Sequence, residues 1–237
     1  LINKDELVRI IKFDEMTKNH TELYRKQVPI SKALADNTKL MMPGITASAL
    51  MDGQGKQVAN ILKPTYWLAV DIDKMQEVIT KADKDPYVMA RYVTASGHGL
   101  RILARYKPFD DPEVTAVELF GVVVRKAMDY FSILLGVPAD EKCCDITRMC
   151  GLAHDPTAYF CWNSKPFELE SKDIKRLYFK KSMAEKYERR SSRRIKPSQK
   201  MVSLAKHIPT IDEAAPAIEK LLETWGKAFE PSRHNDY

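Results

Sequence analysis

Three apolar runs between residues 66 and 106 constrain the fold of this 237-residue chain more than any other feature: YWLAVDI (66–72), YVMARYVTAS (87–96) and LRILARY (100–106). YWLAVDI is short and rich in aromatic and aliphatic residues, so it reads as a buried strand, and the other two read as strands leading into and out of a turn. The second leads into SGHG (96–99) and the third follows at once, so a hairpin is the economical connection. Against this sheet the sequence supplies a long partner. From Glu113 to Leu135, Val114, Val117, Phe120, Gly121, Val124, Met128, Phe131 and Leu135 form one apolar stripe at helical spacing, stopped by Gly136 and Pro138.

The flanks are mixed. NKDELVRIIK (3–12) predicts a helix capped by Asn3, with Glu6 three residues on. A second helical stretch is expected over 20–35, then extended chain at Ile45–Ala47, a helix over 74–82 started by Asp73, short strands at 148–153 and 157–161, and a helix around 172–188. ERRSSRRIKPSQK (188–200) has almost no apolar content and reads as a basic linker, and Ile211–Phe229 as a further helix. Strands alternating with helices predict an α/β or α+β domain over 1–187, followed by the linker and a helical segment over 201–237.

Several function classes are excluded early. No GxxxxGK[ST] or GxGxxG pattern occurs, which argues against a P-loop or Rossmann nucleotide site. No apolar run approaches the roughly 20 residues that span a bilayer, and no signal-peptide pattern opens the chain, so no membrane partner and a cytoplasmic location are expected. Cys143, Cys144, Cys150 and Cys161 include no C-x-x-C pair, so a zinc site built from Cys144, Cys150 and His154 is not favoured over reduced thiols. The net charge of +6, with a dozen Lys and Arg crowded between Lys172 and Lys200, has the sign of a nucleic-acid binder, although a solvated helix face explains it equally well.

Three segments carry candidate chemistry. Asp71 and Asp73 end the first strand two residues apart, hence on one face, where paired carboxylates suit a hard cation such as Mg²⁺ or Mn²⁺. The plainer alternative leaves Asp71 in solvent and Asp73 as a helix cap. Ser96 and His98, in a turn with glycines that permit close approach, suit phosphate oxygens, and Arg101 follows; an ordinary hairpin turn is the alternative. The loop PADEKCCDITR (138–148) offers Asp140 and Asp145 as a third carboxylate and Arg148 as a phosphate or sugar binder. A polar surface loop with Asp145 capping its own turn is the alternative there.

Taken in order, D-h-D, S-x-H and D followed by R resemble the three motifs of the archaeo-eukaryotic primase superfamily, in particular its BT4734-like or VirE N-terminal branch. The resemblance rests on Lys39 to Pro43, Asp71 to Asp73, Ser96 to Gly99, Asp145 to Arg148, and Asp155-Pro156 with Tyr159, and covers about residues 35–165. It implies an RRM-like sheet with the acidic residues on its open face, beside an N-terminal α/β unit. It also implies a primase-polymerase using two Mg²⁺ or Mn²⁺ ions held by Asp71, Asp73 and either Asp140 or Asp145, with Asp140 favoured. Ser96, His98, Arg101, Arg148 and Lys39 would bind the nucleotide. Partners implied are single-stranded DNA template and primer, an NTP or dNTP, and a helicase or other replication or defence protein, as in a mobile element or CRISPR-associated locus. The ending WGKAFEPSRHNDY resembles the start of a helical primase C-terminal region. Readings of other classes are a non-catalytic nucleic-acid-binding module and a metal-dependent replication nuclease.

Overall fold

The three apolar runs form the centre of an antiparallel sheet. In the computed structural model, which describes residues 2–73 and 79–192, β4 (Trp67–Asp73) pairs along its whole length with β6 (Gly99–Tyr106), from Trp67 opposite Arg105 to Asp73 opposite Gly99. On the other side of β6 lies β5 (Val88–Val93), completing the expected hairpin, with a bulge between Val88 and Ala90. β8 (Tyr159–Phe160) pairs with β5, and β9 (Pro166–Phe167) runs parallel to the end of β6.

Strand alternation gives this sheet two unlike faces. Leu68, Val70, Ile72, Leu100, Ile102 and Ala104 point to one side, where α5 (Ala116–Leu135) buries Phe120, Val123, Val124, Ala127 and Phe131 with them. Thr115 and Glu118 close a reciprocal capping box at the start of α5, and Gly136, at φ 71°, ends it in the left-handed conformation. The expected stripe is rotated slightly: Val117 stands 38% exposed, while Leu119, Val122 and Val123 are buried. Truncating Phe131 would cost about 3–5 kcal/mol, the usual range for an enclosed aromatic.

The opposite face carries Ala69, Leu103 and Tyr92, and it is not open as the resemblance implied. α1 (Lys4–Lys12) lays Leu7 and Ile11 on it. A ribbon of β1 (Gly44–Thr46) and β7 (Met149–Gly151), in which Ile45 faces Cys150, joins the same apolar cluster. The end of the face that bears Asp71 and Asp73 forms a cleft.

The helix expected over 20–35 is two. Asp14 caps α2 (Glu15–Gln27) and Ser31 caps α3 (Lys32–Leu40), with Pro29 between them, a residue that lacks an N–H and obstructs a continuous helix. β2 (Ala49–Met51) and β3 (Ile61–Pro64) form a small ribbon that the sequence reading did not anticipate. Of the helix expected over 74–82, α4 (Ile79–Ala82) is described. α6 (Ser171–Ser192) takes in the first five residues of the expected linker, and the segment expected over 201–237 lies outside the described residues. The chain is thus α+β. It divides into Leu1–Ser182 and Met183–Tyr237, and every element that bears on the cleft belongs to the first unit. Among the described residues no helix is long and apolar enough to cross a membrane.

Candidate metal and phosphate site

Ile72 is fully buried against α5, so its neighbours Asp71 and Asp73 must face the other way, and both line the cleft. Asp71 lies directly across the ladder from Arg101. The two form a fork-to-fork pair: Arg101 donates from Nε to Oδ1 at 2.6 Å and from Nη2 to Oδ2 at 2.8 Å. Arg101 also donates to the Gly151 carbonyl at 2.9 Å and lies 5.9 Å from the centre of the Tyr92 ring. Opposite Asp73 stands Gly99, where a Cβ would come within 2.9 Å of Thr94 Oγ1, so only glycine lets the turn close this tightly.

The loop after α5 reaches the same place by adding itself to the edge of β4. Ala139 bridges to Ile72, and the Asp140 amide donates to the Asp71 carbonyl at 2.9 Å. Arg148 then spans the two carboxylates, donating from Nη2 to Asp71 Oδ2 at 2.9 Å and to Asp140 Oδ2 at 3.4 Å, while Nη1 holds the Lys142 carbonyl at 2.8 Å. Residues about seventy positions apart in sequence are joined through one guanidinium. Burial alone would raise the pKa of Asp71, but the hydrogen bonds and charge of Arg101, reinforced by Arg148, outweigh it and hold the carboxyl below the ordinary aspartate range.

Asp71, Asp140 and Cys143 offer ligand atoms that all lie within 4.8 Å of one another, a group able to hold a metal ion. The chemistry of the three is unequal. Burial, and then the negative charge of Asp71, pushes the Cys143 thiol up to about 12, and its sulfur already accepts the Asp71 amide at 3.3 Å. A neutral thiol is a poor ligand, whereas the Asp71 and Asp140 carboxylates are the oxygen donors that a hard cation prefers; Asp73 lines the same cleft but lies outside that group. Cys144, Cys150 and His154 form no such group among the described residues.

The cleft, about 310 Å³ in volume, is lined also by Lys39 from the last turn of α3, by Tyr24 and Met42, and by Ser96. Ser96 Oγ lies 3.2 Å from Thr94 Oγ1 and accepts the His98 amide at 3.3 Å. Two residues expected at the site are elsewhere. Gly97, at φ +76°, reverses the chain between Ser96 and His98, so His98 is exposed at the tip of the turn and does not line the cleft. Asp145 is exposed too, and Oδ1 accepts both the amide and the hydroxyl of Thr147 at 2.8 Å, the local cap that was the plainer alternative. Asp155, from the D-P-x-x-Y segment, is buried and tethers β5, accepting the Val93 amide at 2.9 Å. Arg25 of α2, unforeseen from sequence, donates from Nε to the Ala95 carbonyl at 3.1 Å and from Nη2 to that of Thr94 at 3.4 Å, bracing the Ser96 turn.

The model of one family, the BT4734-like N-terminal domain, matches residues 37–160. The chain belongs to that family. No curated protein and no solved structure matches it significantly. The part of this BT4734-like chain that matches carries Lys39, Asp71, Asp73, Ser96, Arg101, Asp140 and Arg148, so it supplies every charged group that lines the cleft. Tyr24, and Arg25 behind the turn, come from the helical stretch before the matched region.

Proposed function

We propose that this BT4734-like domain is the catalytic core of a primase-polymerase, a template-dependent nucleotidyltransferase of the archaeo-eukaryotic primase superfamily. The observation that carries the reading is the meeting of Asp71, Asp73 and Asp140 with Ser96, Lys39 and Arg148 around one cleft, hard oxygen ligands beside donors for phosphate. Mg²⁺ or Mn²⁺, held by the three aspartates, would supply Lewis-acid activation of a 3′-hydroxyl and charge compensation on the triphosphate and the departing pyrophosphate.

The chain's own groups do the positioning on which phosphoryl transfer mainly depends. The Ser96 hydroxyl donates to a phosphate oxygen, with Arg25 holding the backbone of its turn. Lys39 and Arg148 supply fixed positive charge at the cleft wall. Arg101 is a positioning residue that keeps Asp71 ionised and fixes the plane of its carboxylate. The template strand, the nucleotide and any helicase or other replication or defence partner follow from this reading.

One observation favours a different class: two arginines pair with Asp71, as suits a non-catalytic nucleic-acid-binding module. Incubation with a single-stranded template, labelled nucleotides and Mg²⁺ or Mn²⁺, with and without primer, separates the two. The polymerase reading expects labelled product from the parent chain and none from Asp73→Asn, with template binding retained. A folded parent chain that binds template and yields no product with either metal would establish the module instead.

A further inference from the structure

The two arginines on Asp71 are not equivalent. Arg101 is only 10% exposed and is held at three points: both Asp71 oxygens and the Gly151 carbonyl. Arg148 is 26% exposed and sits at the cleft wall, and its longest contact, 3.4 Å, is the one to Asp140. Its Nη2 stands between Asp71 Oδ2 and Asp140 Oδ2, the same two carboxylates that belong to the candidate metal group. A cation bridging those oxygens and the Arg148 guanidinium compete for one place, because like charges cannot share it without a large Coulomb cost.

We propose that Arg148 is a displaceable counter-ion: it holds the bridging position between Asp71 and Asp140 until a cation arrives together with a triphosphate, then moves from carboxylate to phosphate. The proposal rests on the nucleotidyltransferase reading and adds an order of binding to it. Charge balance gives the order. Among the described residues that line the cleft, Asp71, Asp73 and Asp140 stand with Arg101 and Arg148, which leaves one net negative charge, and Lys39 at the wall offsets that. A divalent ion entering alone therefore meets a site that is already neutralised, and it must also expel a guanidinium into solvent. A metal-bound triphosphate brings its own negative charge and gives the expelled guanidinium a bidentate acceptor, the geometry for which Arg is suited. Arg101, enclosed and triply held, stays on Asp71 throughout.

The test is Mn²⁺ binding to the intact chain, read as manganese retained with the chain at dialysis equilibrium, with and without a non-hydrolysable nucleoside triphosphate, for the parent, Arg148→Gln and Arg148→Lys. The parent should bind Mn²⁺ weakly alone and at least tenfold more tightly with the triphosphate. Arg148→Gln should bind Mn²⁺ alone at least tenfold more tightly than the parent, and gain less from the triphosphate. Arg148→Lys, which keeps the charge but not the fork and is the gentler change, should fall between them. Equal Mn²⁺ affinity of the parent with and without triphosphate would overturn the proposal, as would no gain in either variant when near-ultraviolet circular dichroism matches the parent. The readout requires no synthesis. A chain that makes no product yet shows the arginine-dependent gain loses the polymerase reading and keeps the counter-ion, whereas a chain that makes product with unchanged Mn²⁺ affinities does the reverse.

Discussion

Asp71 and Asp73 differ by one intervening residue and by a large stability term, and the difference can be measured. Replacing Asp71 by Asn removes the charge that Arg101 neutralises while the guanidinium remains enclosed, with the Gly151 carbonyl as its other anchor. Breaking a buried pair by removing one partner typically costs about 3–5 kcal/mol. A domain of this size has about 5–15 kcal/mol in total, so the loss is a sizeable share. In a chain of this length it corresponds to a fall of roughly 6–20 °C in midpoint temperature. Asp73 is exposed, and Asp73→Asn should stay within about 0.5 kcal/mol of the parent. The assay is urea unfolding followed by circular dichroism for Asp71→Asn, Arg101→Gln, the double variant and Asp73→Asn. The double variant should recover at least 1 kcal/mol relative to the sum of the single losses, the size expected of directly coupled partners. The sign of the pH dependence is also set. Because the folded-state pKa of Asp71 is depressed, its contribution is present above the ordinary aspartate value of about 3.9 and is lost as pH falls through the lower folded value. Acid unfolding should therefore be less steep in Asp71→Asn. Stability within 0.5 kcal/mol of the parent for Asp71→Asn, or additive losses in the double variant, would refute the buried-pair reasoning.

Two further outcomes follow from the same contacts. Arg25→Gln should leave midpoint temperature within about 2 °C of the parent, since the side chain is exposed; on the proposed nucleotidyltransferase reading it should also raise KM for the nucleotide severalfold with little change in kcat, because it braces the Ser96 turn. Cys143, buried and with its thiol pushed up to about 12, should escape alkylation by N-ethylmaleimide at pH 8 in the folded chain and react on unfolding, as peptide mass spectrometry would show.

Much of this fold was legible in the sequence because local pattern and tertiary outcome agree. The 66–106 runs are strands that pair as a hairpin plus one neighbour, Asn3 caps the first helix by accepting the Glu6 amide at 2.8 Å, and Gly136 ends the long helix. The alternation that puts Asp71 and Asp73 on one face was legible for the same reason. What was not legible depends on contacts between distant segments. The resemblance favoured Asp140 over Asp145, but nothing local in DEKCCD (140–145) tells that Asp140 joins the edge of β4 while Asp145 turns to cap Thr147. The turn at 96–99 was read as a turn, but which way His98 leaves it depends on Gly97 at positive φ, which a sequence pattern does not show. The pairing of Arg101 with Asp71 rather than with solvent or a ligand required the register of two strands, and Arg25 required the placement of a helix 70 residues from the turn it braces.

The central claim is that the carboxylates of Asp71, Asp73 and Asp140 surround a cation next to the Ser96 turn. Its most direct test is a crystal grown with Mn²⁺ and a non-hydrolysable nucleoside triphosphate, with anomalous diffraction measured at the manganese edge. The account predicts anomalous density within oxygen-ligand distance of Asp71, Asp73 or Asp140, with the triphosphate running from it toward Ser96, Lys39 and Arg148. Manganese located away from all three aspartates, or a triphosphate bound outside this cleft, would contradict it.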